Sequence, residues 1–448
     1  MKRLFSLIAA VFAAFTLCAA PEPFRPGERV VFFGDSITHN GNYIGFLQLM
    51  LDSRGIRDTR MINSGRSGGT AEGGLRRIRH DVIAGKPARV FVLFGMNDIH
   101  RELYKENTPE NLKRRAEELQ AYTKNMTKIV DQLQQAGIKV ILMTPTPYDQ
   151  YQPEGKSDHC NEPGLSDAAG IVRKLAAEKK LELIELHPYM TQILKAHPEL
   201  RLCGRDRIHP LFVGHMVMAS LIMDQLGMAG PTAEVTVDAA DGKVNARFAA
   251  VSQVRTSPDK VSFHYAPERM ALRLPRWRTD LEKVYPFNEK FNRETLKVTG
   301  LKPGNYTVSA GKTRLGDFSD EALAKGIDLG ELNTPNRARA EKAMENWKKS
   351  GDNDRTLRSL EMARGIALRF DPKTGPDTAS IGATLDRWLA RFDPKKSSFG
   401  YWKFVVKKYK DNAGKEKEIR EKFIELRRSM AENARPVPYD ILIQKKAE

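Results

Sequence analysis

Cysteine is scarce, with three in 448 residues. Cys18 falls inside an N-terminal apolar run, which leaves Cys160 and Cys203. So few cysteines exclude a disulfide-stapled scaffold, and without clustered His partners they argue against a structural zinc site. The two thiols either pair in an oxidising compartment or stay buried and unpaired. After residue 20 no segment is apolar for long enough to span a bilayer as a helix. Low-complexity tracts and internal repeats are lacking, which excludes solenoids and disordered tails. Acidic residues are in deficit, 56 against 73 basic ones, for a formal charge of +17. Residues 231–448 hold 43 basic and 31 acidic residues, net +12, against 30 and 25, net +5, in residues 1–230. Such a balance fits nucleic acid, anionic membranes or acidic glycans as partners. No nucleic-acid-binding motif is present. The basic, aromatic stretch Tyr401–Lys410 reads as an amphipathic helix with Trp402, Phe404 or Val405 inward and lysines outward.

Hydrophobic residues make up 41% of the chain and charged residues 29%, enough for sizeable cores. The length implies about two or three domains. Met1-Lys2-Arg3, the apolar run Leu4–Ala20 and the small residues near its end form the pattern of a secretory signal. Residues 1–20 are therefore expected to be a signal peptide, and the mature protein to be exported to a periplasm or the exterior. Pro21 obscures the cut, and Leu17 before Cys18 is too large for the usual lipobox.

Five short apolar runs alternate with helix-like stretches: Arg29–Phe33, Thr59–Asn63, Arg89–Phe94, Lys139–Met143 and Leu181–Leu186. The central runs alternate little, as in strands buried on both faces. Candidate helices lie near 43–53, 72–84, 109–136, 166–179 and 213–226. This alternation predicts a doubly wound parallel sheet with helices on both faces. The texture changes after Gly230-Pro231. Residues 231–448 are expected to be an accessory domain, with a small β-sheet over about 232–315 and 436–444 and a helical region over about 319–433.

In an open parallel sheet, ligands gather at the carboxyl ends of the strands. The segments following the runs are Gly34-Asp35-Ser36, Asn63-Ser64-Gly65-Arg66-Ser67-Gly68-Gly69, Gly95-Met96-Asn97-Asp98, Thr144-Pro145-Thr146 and, beyond one more short helix, Asp206-Arg207-Ile208-His209. They supply a hydroxyl, exposed backbone N–H groups, a side-chain amide and a carboxylate–imidazole pair. Acyl transfer needs those parts. A serine is a weak nucleophile until a base takes its proton, the base needs an orienting acid, and the tetrahedral oxyanion needs fixed donors. Ser36, His209 and Asp206 are the candidate catalytic residues. The N–H groups of Ser36 and Gly68 and the amide of Asn97 are the candidate oxyanion donors. Asp35, Arg66, Asp98 and Thr146 are candidate substrate contacts. The chemistry calls for no metal or cofactor.

These blocks resemble those of the SGNH (GDSL-type) hydrolases over roughly residues 28–228: Gly34-Asp35-Ser36 the first, Asn63 with Gly68 the second, Gly95-Met96-Asn97-Asp98 the third, Asp206 with His209 the last. The resemblance implies a flavodoxin-like three-layer α/β/α sandwich with a five-stranded parallel sheet in order 2-1-3-4-5, occupying residues 21–230. It also implies a serine esterase, and in exported members with large accessory regions often a carbohydrate O-acetylesterase, here for an O-acylated glycan, an acidic one suiting the basic surface. A lysophospholipase or arylesterase, or a glycan-binding protein with an inactive hydrolase domain, are the alternatives. Gly65-Arg66-Ser67-Gly68-Gly69 also spells G-x-S-x-G, the nucleophile elbow of another hydrolase fold. Only one run precedes its own strand, and that reading leaves the other blocks without work, so Ser67 is the weaker nucleophile candidate.

Overall fold

The computed structural model describes residues 21–274, 280–395 and 397–447. The expected signal peptide lies outside them. The chain divides into two compact units. One comprises Met1–Leu51, Ile56–Pro231 and Pro275–Arg293; the other comprises Asp52–Gly55, Thr232–Leu274 and Glu294–Glu448.

The first unit is built on strands β1 (Arg29–Gly34), β2 (Arg60–Gly65), β3 (Arg89–Leu93), β4 (Lys139–Met143) and β5 (Glu182–Ile184). They form one parallel sheet in the order β2-β1-β3-β4-β5, as expected. The central strands are apolar on both faces because helices cover both. Every residue of β3 is buried, as are Val30–Gly34 of β1. Phe32 stacks on Phe91 across the β1–β3 pair, ring centroids 4.9 Å apart. Truncating such a buried ring typically costs about 3–5 kcal/mol. The edge strand β2 is only half-buried and correspondingly polar.

The helices of this unit are α1 (Ser36–Asn40), α2 (Asn42–Ser53), α3 (Ala71–Asp81), α4 (Pro109–Gln135), α5 (Ser166–Glu178), α6 (His187–Ala196), α7 (Phe212–Gln225) and the short α8 (Asp280–Val284). Thr70 and Thr108 cap α3 and α4 by accepting from Gly73 N and Asn111 N. Helix α7 is buried all round, from Val213 to Met223. Asp224 near its end accepts from Tyr285 Oη at 3.0 Å. That bond helps explain why residues 275–293, which the sequence places in the accessory region, group with the first unit.

The second unit holds two sheets where the sequence suggested one. β6 (Ala233–Asp238), β7 (Val244–Arg247), β10 (Glu294–Thr299) and β13 (Ile327–Asp328) make a four-stranded sheet, β10 running parallel to β6. β8 (Ala249–Ser257), β9 (Lys260–Pro267), β11 (Asn305–Ala310), β12 (Thr313–Ser319) and β14 (Tyr439–Lys445) make a five-stranded antiparallel one. The returning strand β14 sits at its centre, between β9 and β11. Alternate residues of β9, Val261, Phe263 and Tyr265, are buried, the period-two pattern of a sheet packed on one face. After α9 (Asp320–Lys325) come α10 (Pro335–Phe370), α11 (Thr378–Leu389), α12 (Ser397–Asn412) and α13 (Glu416–Asn433). Val405, Val406 and Tyr409 of α12 pack against Leu360 and Ile381. Of the three inward candidates, Val405 is buried and Phe404 points outward at 60% exposure.

Candidate active site

Ser36 opens α1 directly after β1. Asp35 is its N-cap and accepts from Ile37 N at 2.9 Å. His209 Nε2 lies 2.8 Å from Ser36 Oγ, and its Nδ1 lies 2.6 Å from Asp206 Oδ2. The carboxylate fixes the proton on Nδ1, so Nε2 presents a lone pair to the Ser36 hydroxyl. The three groups thus meet across 173 residues of sequence. Asp206 Oδ1 also accepts from the backbone N–H of Ile208 and His209, at 3.0 and 3.1 Å. Burial works to raise the Asp206 pKa, but the His209 hydrogen bond and the Ile208 N–H outweigh it and bring it down to about 2. The carboxylate therefore stays ionised wherever the imidazole can act as a base.

The loop carrying Asp206 and His209 is closed on itself. Gly204 N donates to His209 O at 2.8 Å, and Leu211 N donates to Leu202 O at 2.7 Å. Its anchor is Arg207, which the sequence reading passed over. Arg207 has a left-handed backbone (φ 63°) and is 3% exposed. Its guanidinium donates to the carbonyls of Asp149, Gln152, Glu154 and Gly155. A buried cation satisfied by backbone carbonyls ties segment 149–155 to the loop between Asp206 and His209.

The second loop is drawn to the first by small residues and one amide. Asn63 accepts from Gly65 N at 2.9 Å and donates to Thr38 O at 2.6 Å. A Cβ on Gly65 would sit 2.1 Å from His39 N, so no side chain fits there. Gly68 takes a left-handed φ of 70°. Asn97 Nδ2 donates to Gly69 O at 2.8 Å, which brings the third loop beside the second. Its amide carries a second N–H for another acceptor. Arg77, which the sequence reading passed over, is 8% exposed and pairs with Asp81 one turn on, 2.9 Å away. It donates to Gly34 O and Ser64 O, at 2.9 and 2.7 Å, and so bridges the ends of β1 and β2.

The candidate substrate contacts divide. Arg66 is half exposed at the loop, with its guanidinium 3.3 Å from Asp81. Asp35 and Asp98 are 1% and 7% exposed and hold the loops from beneath. Asp98 accepts from Ala71 N at 2.7 Å and from Gly95 N at 3.0 Å. Burial pushes Asp98 up to about 7, with the Asp35 charge adding to it, and pushes Asp35 up to about 6 against the pull of the Ile37 N–H and His209. Thr146 is 1% exposed, its hydroxyl buried without a hydrogen-bond partner. Ser67 is half-buried; the imidazole addresses Ser36. Cys160 and Cys203 are both free and buried, and burial pushes the Cys160 thiol up to about 12. Among the described residues no group of three or more His, Cys, Asp or Glu is placed to hold a metal ion, and no helix is long and apolar enough to cross a membrane.

Residues 32–217 match the family model described as the GDSL-like Lipase/Acylhydrolase family. The chain is 27% identical over 220 residues to an acetylxylan esterase of Geobacillus stearothermophilus, covering 45% of this chain and 94% of that protein. It is 32% identical over 134 residues to the uncharacterized lipoprotein YqeF of Bacillus subtilis (strain 168), covering 28% of this chain and 50% of that one. Among solved structures, a gut microbial diltiazem-metabolizing enzyme is similar at a TM-score of 0.83 and 25% identity, over 95% of this chain and 99% of that one. Residues 32–217 therefore carry a GDSL-like lipase/acylhydrolase domain, the stretch that also holds Ser36, Asp206 and His209.

Proposed function

We propose that this chain is an O-acetylesterase that removes acetyl groups from carbohydrate through an acyl-enzyme on Ser36. The carrying observation is the continuous relay from Asp206 Oδ2 to His209 to Ser36 Oγ, with contacts of 2.6 and 2.8 Å. In this reading Ser36 Oγ attacks the ester carbonyl while His209 Nε2 takes its proton. The tetrahedral oxyanion rests on the N–H groups of Ser36 and Gly68 and on the Asn97 amide. His209 returns the proton to the departing sugar hydroxyl. Water then attacks the acetyl-enzyme, with His209 again as base, and releases acetate. Losing one oxyanion donor typically costs about 2.7–4 kcal/mol of transition-state stabilisation, so the Asn97 side chain matters as much as its position.

The acetylxylan esterase relative, matched over nearly its whole length, supports acetylated carbohydrate as the substrate class. The basic start and the apolar run Leu4–Ala20 support export, to be checked by cell fractionation. The test of substrate is a release assay on O-acetylated polysaccharides beside nitrophenyl esters of rising chain length, with Ser36→Ala as control. Acetate release from polysaccharide and a preference for short chains are expected. A preference for long-chain esters would replace the sugar with a lipid. Failure of a serine-directed organophosphonate to label Ser36 would remove the enzyme reading of the site.

A further inference from the structure

The candidate oxyanion donors come from three loops with unequal support. The Ser36 N–H belongs to α1 and is carried by the end of β1. Gly68 lies three residues beyond β2, and Asn97 four beyond β3. Gly68 has a left-handed backbone, and a Cβ there would meet nothing within 4 Å, so packing does not hold it. Oxyanion donors act as a set, each at hydrogen-bond distance from one point. The distance between the second and third loops must therefore be fixed by some other group.

Asp98 has the contacts for this. Its Oδ1 accepts from Ala71 N at 2.7 Å and its Oδ2 from Gly95 N at 3.0 Å. Ala71 is the first residue of α3, three residues after Gly68, and Gly95 stands two before Asn97. The neighbouring side chain grips the same segment, Asn97 Nδ2 donating to Gly69 O at 2.8 Å. Adjacent residues of the third loop thus hold alternate residues, 69 and 71, of the second. One such bond would leave a hinge; two fix the angle as well.

The clasp has few substitutes. Asp98 is 7% exposed, so water has little access to its oxygens. The backbone on both sides is closely packed. A Cβ on Gly95 would lie 2.5 Å from the Pro145 ring, and one on Gly74 in α3 would lie 2.8 Å from the Phe94 ring. Little room is left for a lost bond to form elsewhere.

We propose that Asp98 is a positioning residue of the acyl-transfer site: by joining Ala71 N to Gly95 N it sets the separation between the Gly68 N–H and the Asn97 amide. The inference rests on Ser36 as nucleophile and on those two groups as oxyanion donors, and it holds for any ester. The test measures nitrophenyl acetate hydrolysis by wild type, Asp98→Asn, Ala71→Pro, Asn97→Ala and the double variant Asp98→Asn with Asn97→Ala. The pH is set well above the Asp98 value of about 7, so that both oxygens accept. Asparagine keeps the size but turns one acceptor into a donor facing an N–H. Proline removes the Ala71 N–H at a helix start that tolerates it, after an extended Thr70. In Asp98→Asn and Ala71→Pro, kcat should fall about 10²-fold with KM little changed. Affinity for a trifluoromethyl ketone, whose hemiketal oxygen takes the oxyanion position, should fall by a similar factor. Asn97→Ala alone should lose about 10²–10³-fold, and the double variant clearly less than the product of the single losses.

Thermal melting shows which variants are folded, and Ala71→Pro tests the clasp without touching the carboxyl. Unchanged kcat in folded Asp98→Asn or Ala71→Pro, a loss confined to KM, or multiplicative losses in the double variant overturns the positioning role. If Ser36→Ala is inactive while Asp98→Asn and Ala71→Pro match wild type, this inference fails alone. If Ser36→Ala hydrolyses the ester as fast as wild type, the nucleophile reading fails with it.

Discussion

The two units use ionisable residues in opposite ways, and topology explains the contrast. In the first unit parallel strands all end on one edge, so the loops after β1, β2 and β3 and the loop of Asp206 and His209 come together. Residues far apart in sequence thereby share hydrogen bonds, as Ser36 and His209 do. In the second unit the five-stranded sheet is antiparallel, and its strand ends point alternately both ways. Its helices carry mostly exposed ion pairs one turn apart, such as Lys349–Glu345 and Lys407–Asp411. Pairs of that kind contribute about 0.3–0.5 kcal/mol each. The basic excess of residues 231–448 falls in part on such solvated faces. A parallel sheet collects chemistry by its connectivity; an antiparallel sheet with a helical region must gather it side chain by side chain.

The sharpest way to break this contrast is at the hydroxyl. Ser36→Ala should lower ester hydrolysis by about four to six orders of magnitude, while Ser67→Ala should retain most of it. Initial rates on nitrophenyl acetate decide it. The reverse ranking would move the nucleophile to the G-x-S-x-G loop and dissolve the assignment of His209.

The next effect tests how the loop edge is held. Arg207→Met would leave the carbonyls of Asp149, Gln152, Glu154 and Gly155 without their donor and loosen the loop that carries both Asp206 and His209. A displacement near 1 Å costs about 10²-fold, so kcat should fall by about that factor while KM changes little. Arg207→Lys keeps the charge but has three donors on one nitrogen, and should recover only a small part of kcat. A merely structural role would lower the melting temperature of Arg207→Met without separating kcat from KM.

Much of this was legible in the sequence, for a physical reason. β1, β3 and β4 are buried on both faces, so their composition betrays them, and each reactive block follows its strand. Arg207 was not legible because its partners are main-chain carbonyls 52 to 58 residues away, which leave no side-chain pattern, and for Arg77 only the i,i+4 pair with Asp81 could be read, not its bonds to the carbonyls of Gly34 and Ser64. Asp35 and Asp98 were visible as motif residues, but their burial was not. Whether a carboxylate faces substrate or props a loop depends on which N–H groups lie beneath it. In the second unit the helix at Tyr401–Lys410 was foreseeable. Of the three inward candidates, Val405 and Trp402 join the cluster with Val406 and Tyr409, and only Phe404 falls outside it. The separation into two sheets was hidden, because half-buried strands share one alternating pattern whichever partners they find.

The smallest expected effect is thermodynamic and compares the units directly. Glu294 has a folded pKa raised to about 7 by burial, from an ordinary value of 4.5. The folded state therefore binds its proton more tightly than the unfolded chain. Stability from this group is fully present below 4.5 and is lost as pH rises toward 7. Between pH 5 and pH 8 the loss should be on the order of 2 kcal/mol, read from urea midpoints. Glu294→Gln cannot ionise, so its midpoint should fall less over that interval than that of the wild type. Asp98 in the first unit has a pKa raised in the same sense, and Asp98→Asn should blunt the same decline through the other unit. If neither variant flattens the profile, both carboxyl groups ionise freely and the units do not store protons in their cores. If only Glu294→Gln does, the N–H groups of Ala71 and Gly95 hold Asp98 as an anion, and the proton belongs to the second unit alone.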